Sequence, residues 1–182
     1  TDSGQAARDS LVKNIKALDE AAFFWYAFDG TGKIKPESNV DLSLKETARQ
    51  GGVKAYALVH NLNGEGFDSQ LAHQVLADKG VRSEFIKNLL ALTLKENWDG
   101  LMMDIEKIPV GDRSAYSEFL AELHTALKAK AKSLSVAVAA KYRDDPQDPW
   151  SGAFDYAEIG KAADQVVLMT YEEHGTDTTQ GP

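Results

Sequence analysis

The chain has 182 residues, 43% of them hydrophobic and 26% charged, which suits one folded domain of ordinary size and excludes a disordered chain. With 20 basic and 28 acidic residues the net charge is −8, so nucleic acid meets a repulsive average field that no Lys/Arg stripe reverses. Cysteine is absent, which excludes disulfide scaffolds, thiolate metal sites and cysteine nucleophiles. The polar start, Thr1 to Ser10, carries no signal-peptide pattern, and the apolar stretches are too short and too charged for membrane insertion.

Helix-period segments alternate with short apolar runs, the rhythm of a parallel sheet with helical crossovers. Leu11, Val12, Ile15 and Leu18 form one face of a first helix; Ala21 to Phe28 follows as a strand that the turn Asp29-Gly30-Thr31-Gly32 ends. A helix around Leu44 to Gln50 leads to a strand from Val53 to Val59, and helical segments near Ser69 to Ala77 and Ser83 to Glu96 lead to a strand from Gly100 to Ile105. The helix from about Arg113 to Lys130 shows Tyr116, Phe119, Leu120, Leu123 and Leu127 on one face, and a strand from Leu134 to Ala139 comes next. A last unit joins a helix over Tyr156 to Ala163 to a strand over Gln165 to Thr170. Such units build either an open doubly wound sheet or most of a (β/α)8 barrel. The first strand is followed by neither GxGxxG nor GxxxxGK[ST], so the nucleotide-binding version of the open sheet lacks its phosphate cradle, and the barrel is preferred.

The segment Trp98-Asp99-Gly100-Leu101-Met102-Met103-Asp104-Ile105-Glu106 places acids in an otherwise apolar strand, where burying bare charge is costly. Alternation puts Met102, Asp104 and Glu106 on one face and Leu101, Met103 and Ile105 on the other, under helices. The acids then stand at the C-terminal end of the strand, where barrel enzymes carry their catalytic groups, with Glu106 outermost as the natural proton donor. Two other readings stay open at this point: surface acids that cap the following helix, and Mg2+ ligands, although no second cluster completes a cage. Trp25 and Tyr26 offer faces on which a pyranose packs; in an apolar strand they also suit a core, and parity turns only one inward. His60 and Asn61 end a strand and are candidates to line a cleft, His174 reads as a loop residue, and Trp98 and Trp150 read as packing residues.

At Asp99-x-x-Met102-x-Asp104-x-Glu106 the chain resembles glycoside hydrolase family 18, the chitinase-type barrel whose fourth strand carries DxxDxDxE; Met102 stands at the second acidic position. Met169-Thr170-Tyr171-Glu172 is similar to the family's sixth-strand Met-x-Tyr-Asp, with Glu for Asp. Phe24-Trp25-Tyr26, His60-Asn61 in place of SxGG, and Pro149 to Tyr156 look most like the bacterial branch that carries LysM-type modules and includes spore-cortex-lytic N-acetylglucosaminidases.

The resemblance implies hydrolysis of β-1,4-linked N-acetylglucosamine glycans, with peptidoglycan or spore cortex preferred over chitin, by a retaining, substrate-assisted mechanism without metal or cofactor. It implies that Glu106 is the acid/base, that Asp104 orients and stabilises the reacting acetamido group, and that Tyr171 holds its carbonyl. Asp99, Met102, Met169 and Glu172 join Trp25, Tyr26, His60 and Asn61 as expected substrate-site residues. It also implies an extracellular, cell-envelope or spore-associated protein whose full-length form carries LysM-type modules. A weak or inert glycan-binding domain is the alternative, because Met102 leaves Asp104 without a partner carboxylate. A whole barrel takes roughly 250 residues. Residues 1–182 therefore read as one catalytic domain incomplete at both ends, the family's first strand falling before Asp2 and its seventh and eighth after Pro182.

Overall fold

The structure, a computed structural model, describes residues 3–64 and 66–171. In chain order its elements are α1 (Ser3–Asn14), β1 (Glu20–Phe28), β2 (Ile34–Pro36), α2 (Leu42–Gln50), β3 (Lys54–His60), α3 (Ser69–Ala77) and α4 (Lys79–Lys95). They continue with β4 (Gly100–Asp104), α5 (Arg113–Lys128), β5 (Ser133–Ala139), α6 (Tyr156–Ala162) and β6 (Gln165–Met169). Part of the acid excess starts helices: the carboxylates of Asp41, Asp68, Asp78 and Asp155 each accept a first-turn backbone N–H, of α2, α3, α4 and α6.

The sheet order is β2-β1-β3-β4-β5-β6, parallel from β1 through β6. Each new parallel strand is laid on the same side of the previous one, and α3, α4, α5 and α6 contact one another in sequence. A doubly wound sheet reverses its strand order and covers both faces. An order that never reverses, with helices packed side by side, is an arc of a (β/α)8 barrel.

The element not foreseen is β2, which pairs antiparallel with Tyr26, Ala27 and Phe28. The sequence reads the Asp29-Gly-Thr-Gly turn as the passage from a strand into a helix; instead Asp29 Oδ1 accepts the N–H groups of Thr31 and Lys33 and folds the chain back as a hairpin. Gly32 is required there, with φ +76° and a hypothetical Cβ only 2.9 Å from the Phe85 Cα.

The helix-side core follows strand parity. Ala57, Val59, Leu101, Met103, Ile105, Val136 and Val138 are fully buried beneath Phe85, Leu89, Tyr116, Phe119, Leu120 and Leu123. Trp98 is fully buried, as expected, with the Lys45 Nζ 5.1 Å from its ring centre. Trp150 is half-exposed rather than packed; of the expected face Leu11, Val12, Ile15 and Leu18, Leu11 and Ile15 pack on the core while Val12 and Leu18 are exposed, and α1 ends at Asn14. The opposite face carries the row Phe24, Leu58, Met102, Ser135 and Gln165, and above it Ala27, His60 and Asp104.

Candidate active site

β4 lies between β3 and β5, and its last residue, Asp104, stands level with His60 of β3. Asp104 is 8% exposed, and its Oδ1 is buried with no hydrogen-bond partner among the described residues. Burial penalises the ionised form and pushes the carboxyl up to about 6. The buried Tyr116 hydroxyl, likewise without a partner among the described residues, has its pKa raised by burial and by the Asp104 charge.

His60 is fully buried beneath Phe24, whose ring stacks on the imidazole at 4.0 Å and 9°. Its Nδ1 accepts the Leu62 N–H at 3.2 Å, which fixes the neutral tautomer with its proton on Nε2. Glu37 Oε1 lies 3.8 Å from Nε2, beyond hydrogen-bond reach. With no counter-charge in bonding distance, burial pulls His60 down to about 4.

Glu106 lies two residues beyond the end of β4 and is half-buried. Its backbone is gripped by the fully buried Asn61: the Glu106 N–H donates to Oδ1 at 2.9 Å, and Nδ2 donates to the Glu106 carbonyl at 2.9 Å. Nδ2 also donates to the Asp68 carbonyl at 2.9 Å. Directly after Glu106 the chain turns through Lys107 at φ 52°, a left-handed conformation that costs a non-glycine residue energy.

The other expected site residues divide. Met102 is half-buried on the open face between Leu58 and Ser135, two residues below Asp104, and Met169 ends β6 level with Ala139. Tyr171, 66% exposed, follows β6 at the same end of the sheet. Glu172 and His174 lie outside the described residues.

Five expected sugar contacts are corrected. Asp99 stands at the opposite end of β4 from Glu106, where its Oδ2 accepts the Ala55 N–H at 2.9 Å and faces Arg49 Nε at 3.5 Å, so it ties the start of the strand. Trp25 and Tyr26 both point to the helix side, because a β-bulge between Phe24 and Tyr26 shifts the register and defeats simple alternation. Trp25 packs on Phe23 at 4.5 Å, and Tyr26 meets Trp98 edge-on. Asn61 is fully buried, with both amide protons and its oxygen bonded to backbone, so it presents no surface to a sugar. His60 reaches the site only from beneath Phe24.

Sequence reasoning missed the place of Phe24 over His60, because the bulge has no sequence signature; Tyr116 lies in the core as the helix period predicts. At the end of β5, Lys141 donates to Asp144 and to the Phe154 carbonyl and lies 4.3 Å from the Tyr156 ring centre, holding a loop from which Tyr142 projects fully exposed. Among the described residues no group of three or more His, Asp or Glu is arranged to hold a metal ion. No helix among them is long and apolar enough to cross a membrane.

Residues 7–182 match the model of Glycosyl hydrolases family 18. The chain is 35% identical over 179 residues to the uncharacterized glycosylase YvbX of Bacillus subtilis (strain 168), covering 96% of this chain and 51% of that protein. It is 26% identical over 169 residues to the cortical fragment-lytic enzyme of Bacillus anthracis, covering 91% of this chain and 39% of that one. A chitinase crystal structure from Chromobacterium violaceum ATCC 12472 superposes with a TM-score of 0.88 at 26% identity, covering 99% of this chain and 56% of that one. The chain thus spans about half or less of these relatives.

Proposed function

The chain belongs to glycosyl hydrolase family 18, and from that premise we propose that it hydrolyses β-1,4-linked N-acetylglucosamine glycans, with peptidoglycan of the cell wall or spore cortex as the preferred substrate. Residues 1–182 are proposed to act as one catalytic domain, continued in an extracellular or spore-associated full-length protein with LysM-type modules. The observation that carries the reading is Asp104 followed by Glu106 at the C-terminal end of the central strand β4, one buried and the other half-exposed and held by its backbone.

In the proposed reaction the Glu106 carboxyl gives its proton to the glycosidic oxygen as the C1–O bond breaks, while the sugar's own 2-acetamido oxygen bonds to C1. Asp104 accepts the acetamido N–H and stabilises the positive oxazolinium ion; a carboxylate in a dry setting interacts more strongly with that charge than one in water. Water then attacks C1, its proton passing to Glu106, and the acetamido group re-forms with retention at C1. Tyr171 is assigned to the acetamido carbonyl and Glu172 to a sugar hydroxyl. Reducing-end release from peptidoglycan tests the reading: Glu106→Gln is expected to abolish release and to keep glycan binding, and undiminished turnover would remove Glu106 from its role.

Met102 favours a second reading, a domain that binds glycan with weak or no chemistry, since it stands two residues before Asp104 on the open face where a partner carboxylate would be. That reading predicts saturable binding with no reducing ends formed.

A further inference from the structure

We infer that Asn61 is the positioning residue for Glu106, its side-chain amide standing in for a strand at the point where the sheet gives out. The inference rests on the proposed role of Glu106. The β3–β4 ladder runs from Tyr56 and Gly100 to His60 and Asp104, and the β4–β5 ladder stops at Met103 and Val136, both short of Glu106. Beyond His60 the β3 chain turns away into a narrow excursion closed by the bridge between Leu62 and Phe67 and by the Asp68 N–H donating to the Asn61 carbonyl at 3.0 Å. A parallel neighbour at this level would offer Glu106 a C=O and an N–H. Asn61 offers the same pair from its carboxamide, bonding both the N–H and the carbonyl of residue 106 at 2.9 Å.

The amide is fully buried, with both of its protons and one lone pair of its oxygen engaged by backbone. Its third partner, Asp68, is the N-cap of α3, where Oδ1 accepts the Leu71 N–H at 3.0 Å. Asn61 therefore links the end of β3, the start of α3 and the backbone of the proton donor. On the far side Glu106 is followed at once by the left-handed Lys107, a strained turn that persists only where its surroundings hold it. The clamp continues the backbone pairing past the ends of both ladders, and displacement of a reacting group by about 1 Å costs about 10²-fold in rate.

The test combines 15N-resolved amide exchange with kinetics on peptidoglycan fragments, in the wild type, Asn61→Ala, Asn61→Asp and Asn63→Ala. Asn61→Asp keeps the side-chain volume but sets a carboxylate oxygen against the Glu106 and Asp68 carbonyls, so its loss is expected to match or exceed that of Asn61→Ala. Asn63→Ala removes only the bond to Asp68 Oδ2 within the same loop and is expected to behave as wild type. In both Asn61 variants the Glu106 amide is expected to exchange at least about tenfold faster, with Met103 unchanged and kcat reduced about 10²-fold at similar KM. Unchanged Glu106 exchange, equal acceleration at Met103, a change in KM alone, or the same loss in Asn63→Ala would each overturn the inference. An inactive wild type would count against the hydrolase reading, and the exchange comparison would still decide the clamp.

Discussion

Asp104 and His60 are level on neighbouring strands, and burial shifts both in the direction that disfavours charge, the acid to about 6 and the imidazole to about 4. Their effects on stability have opposite signs. The folded chain binds the Asp104 proton more tightly than the unfolded chain does, so Asp104 is without cost below about pH 4 and costs progressively more up to about pH 6. The folded chain binds a proton on His60 less tightly, so stability is lost as pH falls from about 6.5 through about 4. The wild type is expected to have a shallow stability profile across that window, because the two slopes offset each other. Asp104→Asn is expected to raise stability at pH 7.5 by up to about 3 kcal/mol, each tenfold change in proton affinity being worth about 1.4 kcal/mol. Its advantage vanishes near pH 4, leaving the His60 slope uncovered. Urea midpoints at three pH values check this, and a variant less stable than wild type at pH 7.5 would count against an uncompensated Asp104. The same carboxylate, costly to the fold, is the one assigned to the oxazolinium ion.

The element that carries the site depends on its first residue. A Cβ on Gly100 would lie 2.4 Å from the Ser133 carbonyl oxygen and 2.5 Å from the Tyr56 ring, so β4 packs between its neighbours only if that position is bare. Gly100→Ala is expected to destabilise by about 1–3 kcal/mol, as overpacking commonly does. Thermal unfolding checks it, and a neutral change would mean that β4 shifts freely at its foot. Much at this scale was legible in the sequence. Leu101, Met103 and Ile105 alternate with Met102, Asp104 and Glu106, and the structure buries the first set under helices while turning Met102 and Asp104 to the open face. The boundaries of α3 agree because Asp68 caps it and the apolar period is clear. What alternation could not foresee were register irregularities and long-range bonds. The bulge after Phe24 sends Trp25 and Tyr26 into the core, Asp99 is claimed by Ala55 on the next strand, and Asn61 by Glu106 across the sheet. Each of these depends on contacts between residues distant in the sequence.

At the scale of the whole molecule, strand order and charge matter most. The unreversed order β1-β3-β4-β5-β6 brings the ends of β3, β4 and β6 to one rim, and with them His60, Glu106 and Tyr171. The formal net charge of the chain is −8, so an anionic glycan meets on average a repulsive field. Peptidoglycan bears carboxylates on its peptide stems, whereas chitooligosaccharides are neutral. KM for peptidoglycan fragments is therefore expected to fall as salt rises from about 20 to about 200 mM, where the Debye length drops below about 10 Å, and KM for chitooligosaccharides to stay flat. A KM for both that ignores salt would show that the global field does not reach the bound glycan. Attack by the acetamido oxygen under a Glu106 proton is tested most directly by following the anomeric proton signals of the first-formed reducing ends by 1H NMR, for the wild type and Glu106→Gln. Retention requires the β-anomer to appear first, before mutarotation, and the assigned role of Glu106 requires that Glu106→Gln give no product. First-formed α-anomer, or product from Glu106→Gln at the wild-type rate, would refute the mechanism.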